Sequence, residues 1–282
     1  MIRLVINADD LGLHPRLDEG IFRAHALGVV TSSTVLVTGR YAEQAVHRAK
    51  DEQLALGVHL CLTSHLPPAS RAREVRWLAP GGRFRRNWAE LSLAWLSGLV
   101  PKEEVALELR AQVERAHELG ASVDHLDTHQ HLHLLPGMTA LVEALAAELG
   151  VPVRWPAEPP STHWLVHPRS AVKTALIGGL ARLKPGSDVR RVQAHGVFES
   201  GRLTERRLLR LIERLEPGDH ELVCHPGLEP GTVREDPEWK YDWEDELEAL
   251  TSPRVRELIQ RREIRLSSYA DLQASPLPAE AG

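Results

Sequence analysis

Residues 2–37, IRLVINADDLGLHPRLDEGIFRAHALGVVTSSTVLV, decide the fold. The apolar run IRLVIN (2–7) is short and passes at once into polar residues, which reads as a buried strand. From Leu17 to Leu27 the apolar positions recur at helical spacing, and the segment stops at Gly28, a residue favoured just past a helix end. VVTSSTVLV (29–37) is rich in β-branched residues, which sit well on a pleated surface, and reads as a second strand. Strand, helix, strand in so few residues is a parallel β-α-β unit.

The rhythm continues along the chain. Tyr41 to Lys50 reads as a helix and LALGVHLCL (54–62) as a strand. Residues 63–86 break the pattern with Pro67, Pro68, Pro80, Gly81, Gly82 and several arginines, so they read as a long surface insertion. Helices are predicted at 87–98 and 101–119, the second with Pro101 in its first turn and Gly120 after its end. SVDHLD (122–127), VPVRW (151–155), HELVCH (220–225) and Ile264 to Leu266 are further strands. Met138 to Leu149, 170–183, 204–215 and 241–262 are further helices. Seven or eight such units predict an α/β fold, a TIM-like (β/α) barrel. An open doubly wound sheet competes, but no glycine-rich phosphate loop follows the first strand. The expectation is one domain over 1–282, with the 63–86 insertion and a frayed Pro- and Ala-containing tail.

Composition narrows the partners. The 282 residues are 43% hydrophobic, enough for a packed core, and the formal charge of −5 gives no reason to expect nucleic acid. No apolar run approaches the roughly 20 residues a membrane span needs. Acidic residues follow the N-terminal apolar segment immediately, which does not fit a signal peptide. Cys61 and Cys224 are too few for a disulfide framework, so a reducing, cytoplasmic location is expected. A small-molecule substrate is the expected partner, and a homo-oligomer is compatible with everything above.

In a barrel of this kind chemistry collects at the C-terminal ends of strands. Asn7, Asp9 and Asp10, then His59, then His125 to His133, Arg154 and His225 all fall at such ends. One aspartate of the Asp9-Asp10 pair is explained by a helix cap. Two adjacent carboxylates oppose each other's ionisation, and a bound cation removes that cost. HLDTHQHLH (125–133) is more specific still: four of the chain's 15 histidines lie within nine residues. If extended, it places His125, Asp127, His129, His131 and His133 on one side. Imidazole with carboxylate suits a divalent ion such as zinc, with magnesium or manganese as alternatives. One ion cannot take every histidine, so some are expected behind the ligands, fixing their tautomers. His59 lies in an apolar strand, where histidines are commonly satisfied core residues, but its strand-end place makes it a third candidate ligand.

Four other features carry weaker signals. Cys61 shares a face with His59 and is a conceivable thiolate ligand, although both cysteines read as small buried hydrophobes. His225 lies in CHPG, a turn forced by Pro226 and Gly227, and is a candidate general acid. Arg154 and Trp155 are candidates to hold and stack on a polar substrate, against a simple salt bridge to Glu158 and ordinary packing. Trp239 and Trp243 are further candidate sugar platforms.

INADDLG, TSSTVLV, GVHLCLT, HLDTHQHLHLLPG, VRWP and CHPG occur in that order over residues 6–228, and EDELEALTSPRVRELIQRREIRLSSYADL completes the chain. Together they resemble the YdjC-like carbohydrate deacetylases, which include chitooligosaccharide deacetylases. The resemblance implies a barrel related to polysaccharide deacetylases, one divalent ion, and removal of acetyl groups from an N-acetylated sugar. It assigns Asp10, His59 and His129 as metal ligands, with His131 the alternative to His129, while His125 and Asp127 stay as supporting groups or alternative ligands. It places Asp9 as general base and His225 as general acid. Leu11 stands where the family commonly has Phe, and His14 where it commonly has Ser; both flank the mouth. Competing readings are a different metallohydrolase, acting on a phosphoester or another amide, and a sugar-binding protein without turnover.

Overall fold

The computed structural model describes residues 1–158, 175, 177–180, 192–229, 231 and 241–274. Seven strands form one sheet: β1 (Ile2–Leu11), β2 (Ser32–Val35), β3 (Ala55–Leu60), β4 (Val123–Thr128), β5 (Gln193–His195), β6 (Gly218–Cys224) and β7 (Arg265–Leu266). Their order is β4-β3-β2-β1-β6-β5, with β7 pairing the start of β1, and every pairing is parallel. The sheet curves as an incomplete barrel, the α/β class that the strand–helix alternation predicts.

Nine described helices connect or flank these strands: α1 (Pro15–Ala26), α2 (Ala42–Asp51), α3 (Trp88–Leu96), α4 (Lys102–Glu118), α5 (Met138–Leu149), α6 (Glu205–Glu213), α7 (Trp243–Thr251), α8 (Pro253–Arg261) and α9 (Tyr269–Ala274). No described helix is long and apolar enough to cross a membrane.

Alternation along β1 sorts its side chains. Leu4, Ile6 and Ala8 join the large apolar cluster under the helices. Val5 belongs instead to a small cluster with Tyr269 and Leu272 of α9. Asn7 and Asp9, which share that second face, bond to each other, with Asn7 Nδ2 donating to Asp9 Oδ1 at 2.9 Å. At Arg3 the guanidinium pairs with Asp219 of β6 at 2.7 Å, both side chains buried. The inward face of this barrel is therefore largely polar. Room on it is tight: a Cβ on Gly57 of β3 would meet the His125 ring at 2.4 Å.

Several boundaries differ from the sequence reading for identifiable reasons. β1 runs on through Asp9 and Asp10, because one extra residue is accommodated against β2 between Ala8 and Leu11. The predicted 151–155 strand reduces to one bridge, Leu126 with Val153. The helix expected over 241–262 is two, α7 and α8. Ser252 accepts from the Arg254 N–H as a cap, and Pro253 has no N–H with which to continue α7. β5 escaped the sequence reading, since three residues show no periodicity. The predicted 170–183 helix lies mostly outside the described residues, although 177–180 are helical. The tail from 275 onward and Trp239 also lie outside them.

The 63–86 insertion is not a loose loop. Val75, Leu78, Ala79 and Phe84 are buried in the main apolar cluster. Two glutamates of α4 hold its backbone. Glu108 accepts from Ala69 N and Ser70 N at 2.9 Å, and Glu104 accepts from Trp77 N and Leu78 N at 2.9 Å. Backbone donors that a loose loop would leave to water are satisfied here by two carboxylates of one helix, the buried Glu108 and the half-buried Glu104.

α1 closes against the turn that follows β6. Gly20 of α1 lies so near Gly227 that a Cβ on Gly20 would sit 2.3 Å from the Gly227 Cα. Arg16 O accepts from Leu228 N at 3.0 Å, which fixes the same turn from its far side.

Candidate active site

Strict alternation would send Asp10 outward, away from Asp9. The extra residue in β1 prevents this. Asp10 takes φ of +69°, a left-handed conformation that aspartate tolerates better than most residues. Such conformations cost roughly 1–3 kcal/mol and persist where the surroundings enforce them. The bend brings two adjacent carboxylates onto one buried spot.

There Asp10 Oδ1 lies 3.3 Å from His59 Nε2 and 3.3 Å from His129 Nδ1, while the two imidazole nitrogens are 3.2 Å apart. The three atoms form a nearly equilateral triangle, drawn from the ends of β1, β3 and β4 and buried on all sides. Asp10 Oδ1 is a buried acceptor that receives no well-aligned hydrogen bond. Burial alone would raise the Asp10 carboxyl, but the facing imidazoles of His129 and His59 outweigh it and hold the group well below the usual carboxylate range. One carboxylate oxygen and two imidazole nitrogens at these separations match ligands about 2.0–2.2 Å from a shared divalent ion. Asp9, His59 and Asp127 form a second group of comparably close ligand atoms, but Arg154 already holds both of its carboxylates, so Asp10, His59 and His129 fit such an ion better.

The groups behind the triangle fix its orientation. Asp127 Oδ1 lies 2.6 Å from His59 Nδ1, which directs the Nε2 lone pair toward Asp10 and His129. Burial works against a charge on His59, but Asp127 and Asp10 outweigh it and raise the imidazole well above its ordinary value. Thr34 of β2 donates to Asp127 Oδ2 at 3.1 Å. Arg154 anchors the assembly, donating to Asp9 from both terminal nitrogens, at 2.6 and 2.7 Å, and pairing with Asp127 at 2.5 Å. Its Nε donates to Glu221 of β6 at 2.7 Å. Burial would raise the Asp9 carboxyl, but the Arg154 guanidinium outweighs burial and lowers it.

Arg154 was expected to meet substrate or Glu158. It is instead 1% exposed and committed to three carboxylates, while Glu158 accepts from Gly196 N and Phe198 N. Trp155 packs with Leu134, Ile177, Val197 and Val223, and Trp243 with Leu17, Leu36 and Cys61. Neither offers an open ring face.

His225 stands beside Asp9, with Nε2 4.0 Å from Asp9 Oδ2. Its ring meets Tyr241 edge to face, its backbone N–H donates to Glu246 at 2.6 Å, and its Nδ1 has no partner among the described residues. Burial holds this imidazole below its ordinary value.

The histidine-rich stretch does not lie extended. His129–Leu134 is a 3-10 coil kinked at Gln130 and His131, whose φ values are +57° and +56°. The shared face expected from alternation is therefore absent. His129 turns into the triangle, and His133 bonds to Thr128 at 2.6 Å. His131 lines a shallow apolar pocket with Trp88 and Leu135. His125 lies deeper on β4, paired with Asp124 at 2.6 Å and stacked on Tyr269. Cys61 is buried, its thiol is pushed up to about 12 by burial, and it belongs to neither group of described residues close enough to share an ion.

Sequence reasoning missed Thr34, Glu221, Glu246 and Tyr269. Only Glu221 left a trace, as a charged residue inside the apolar HELVCH.

The chain belongs to the YdjC-like protein family, which matches residues 3–261. It is 32% identical to a carbohydrate deacetylase of Brevibacillus brevis, over 96% of this chain and 100% of that one. A carbohydrate deacetylase of Mus musculus is 34% identical over 97% of this chain and 96% of its own. A chitooligosaccharide deacetylase of Enterobacter sp. is 30% identical over 95% and 98%. A solved structure from Enterococcus faecalis, described as a cellobiose-phosphate cleavage protein, aligns at TM-score 0.77 and 28% identity over 96% of this chain and 98% of that one.

Proposed function

We propose that the protein is a divalent-metal-dependent N-deacetylase of acetylated sugars, acting in the cytoplasm on short N-acetylglucosamine oligomers. The observation that carries the reading is the buried triangle of Asp10, His59 and His129 with Asp9 and His225 beside it. The deacetylase relatives, similar over nearly the whole chain, support the substrate class. Two imidazoles and one carboxylate favour zinc or a similar borderline ion over magnesium. Such an ion would polarise the amide carbonyl and acidify water.

The chain's own groups supply the proton path. Arg154 keeps Asp9 ionised and aims it. A carboxylate has about four lone-pair sites, so the guanidinium fork leaves one on Oδ2, the oxygen facing His225. Asp9 Oδ2 accepts the proton that water loses as its oxygen bonds to the carbonyl carbon. His225 starts neutral, because burial disfavours its charge. It receives that proton at Nε2 and delivers it to the departing nitrogen, since an amine leaves poorly as an anion. The C–N bond breaks, and acetate and the free amino sugar result.

The test is metal analysis of the purified protein, then acetate release from mono- and di-N-acetylated substrates. Expected is one divalent ion per chain and faster release from diacetylchitobiose than from N-acetylglucosamine, which offers fewer remote contacts. Metal-loaded protein that frees no acetate but hydrolyses phosphoesters would replace this reading with the competing hydrolase.

A further inference from the structure

The bottom of the barrel, opposite the site, is closed by α9, and a line of buried polar contacts climbs from it to Asp9. Tyr269 opens α9, is 2% exposed, and packs on Val5 and Leu272. Its ring lies on that of His125, with centroids 4.0 Å apart and planes 16° from parallel. Its hydroxyl donates to Glu221 Oε2 at 2.5 Å. The second oxygen of Glu221 accepts from Arg154 Nε at 2.7 Å, and both terminal nitrogens of Arg154 hold Asp9.

We propose that Tyr269 is a positioning residue for the reaction, acting through Glu221 and Arg154 on the aim of Asp9. The inference rests on Asp9 as proton acceptor. A guanidinium is a rigid fork, so whatever fixes its Nε edge fixes the direction of its other two nitrogens. Glu221 is what fixes that edge. Glu221 is itself 1% exposed, and Tyr269 is the donor at its other oxygen. Without the hydroxyl, a buried carboxylate oxygen loses its donor, and Glu221 is left held only at its Arg154 end. Arg154 then keeps its pair with Asp127 but loses the firm hold on its Nε edge, and the aim of Asp9 loosens with it. α9 thus does more than seal apolar surface: it carries one end of a four-residue chain whose other end is at the reacting atoms.

Two variants of α9 separate positioning from stability. Tyr269→Phe keeps the ring and its stacking on His125 but removes the donor. Leu272→Ala loosens the same helix and the packing beside the Tyr269 ring but leaves every hydrogen bond of the chain in place. Both are loaded with zinc, and kcat is expressed per bound ion so that unfolded molecules do not count. Tyr269→Phe is expected to lose about 10-fold in kcat at unchanged KM, the scale of groups that orient catalytic residues from behind. Leu272→Ala is expected to melt lower at unchanged kcat. A readout free of substrate runs beside these: the Arg154 Nε–H resonance in the 15N NMR spectrum, assigned with Arg154→Lys. It must shift in Tyr269→Phe and hold in Leu272→Ala, whether or not acetylated sugars prove to be the substrate. Wild-type kcat in Tyr269→Phe, equal kcat losses in both variants, or an unmoved Arg154 resonance would each overturn the proposal. Absence of turnover in the wild type with the resonance shift intact would instead remove only the deacetylase reading.

Discussion

The two faces of β1 are equally buried and chemically opposite. One carries Leu4, Ile6 and Ala8 into the apolar cluster under the helices; the other carries Asn7 and Asp9 into a lattice of carboxylates and one guanidinium. The outer face is held by area removed from water, which tolerates local repacking. The inner face is held by directed bonds, and each lost partner leaves a buried charge uncompensated. One strand therefore splits stability and chemistry between alternate residues, and the split can be tested.

The largest effect belongs to the inner face. Asp9→Asn is expected to keep the metal and lose about 10²–10⁴-fold in turnover, the contribution typical of a proton acceptor. Kinetics with parallel metal analysis checks it; near-wild-type turnover would move the proton acceptor elsewhere. On the outer face, Ile6→Ala is expected to cost about 2–5 kcal/mol of stability and leave kcat per folded molecule unchanged. Denaturant unfolding with activity measured well below the transition decides this, and a kcat that falls with stability would mean the faces are not independent.

The smallest effect sharpens the contrast. Glu246 is fully buried and accepts from His225 N and Leu203 N, and burial pushes its carboxyl up from 4.5 to about 7. The folded chain keeps a proton there that the unfolded chain has already released. Stability from this group is thus lost as pH rises from about 4.5 to about 7, by on the order of 1 kcal/mol per unit, and is level above that. Glu246→Gln should flatten the slope in that window. An unchanged slope would show that Glu246 is ionised throughout.

Much of this was legible in the sequence because strand ends announce themselves. Asp9, Asp10, His59 and His225 each follow or close a short apolar run, and a parallel barrel gathers such ends at one mouth. Less legible was anything that depends on a bend. The inward turn of Asp10 comes from a one-residue mismatch with β2, and the coil at His129–Leu134 replaces the alternation an extended reading assumes. Least legible were partners distant along the chain. Arg154 is 145 residues from Asp9, and Tyr269 is 48 from Glu221, so no local pattern joins them. Pro253 did mark a helix break, but the polar periodicity on either side of it masked the signal.

The contact between Gly20 and Gly227 has a consequence for how the chain can vary over time. Gly20 is small because the Gly227 backbone lies against it, Gly227 is small because Leu17 and Trp243 lie against it, and the turn that holds Gly227 also carries His225. Alanine at 20 would push its methyl into the backbone of that turn, and alanine at 227 would meet Leu17 at 2.6 Å. Position 20 meets backbone and can change only with a displaced α1 or turn, whereas position 227 meets the end of the Leu17 side chain, so related chains should change 227 and 17 as a correlated pair. A library randomised at 20, 227 and 17 simultaneously would recover solutions that no single-site scan reaches.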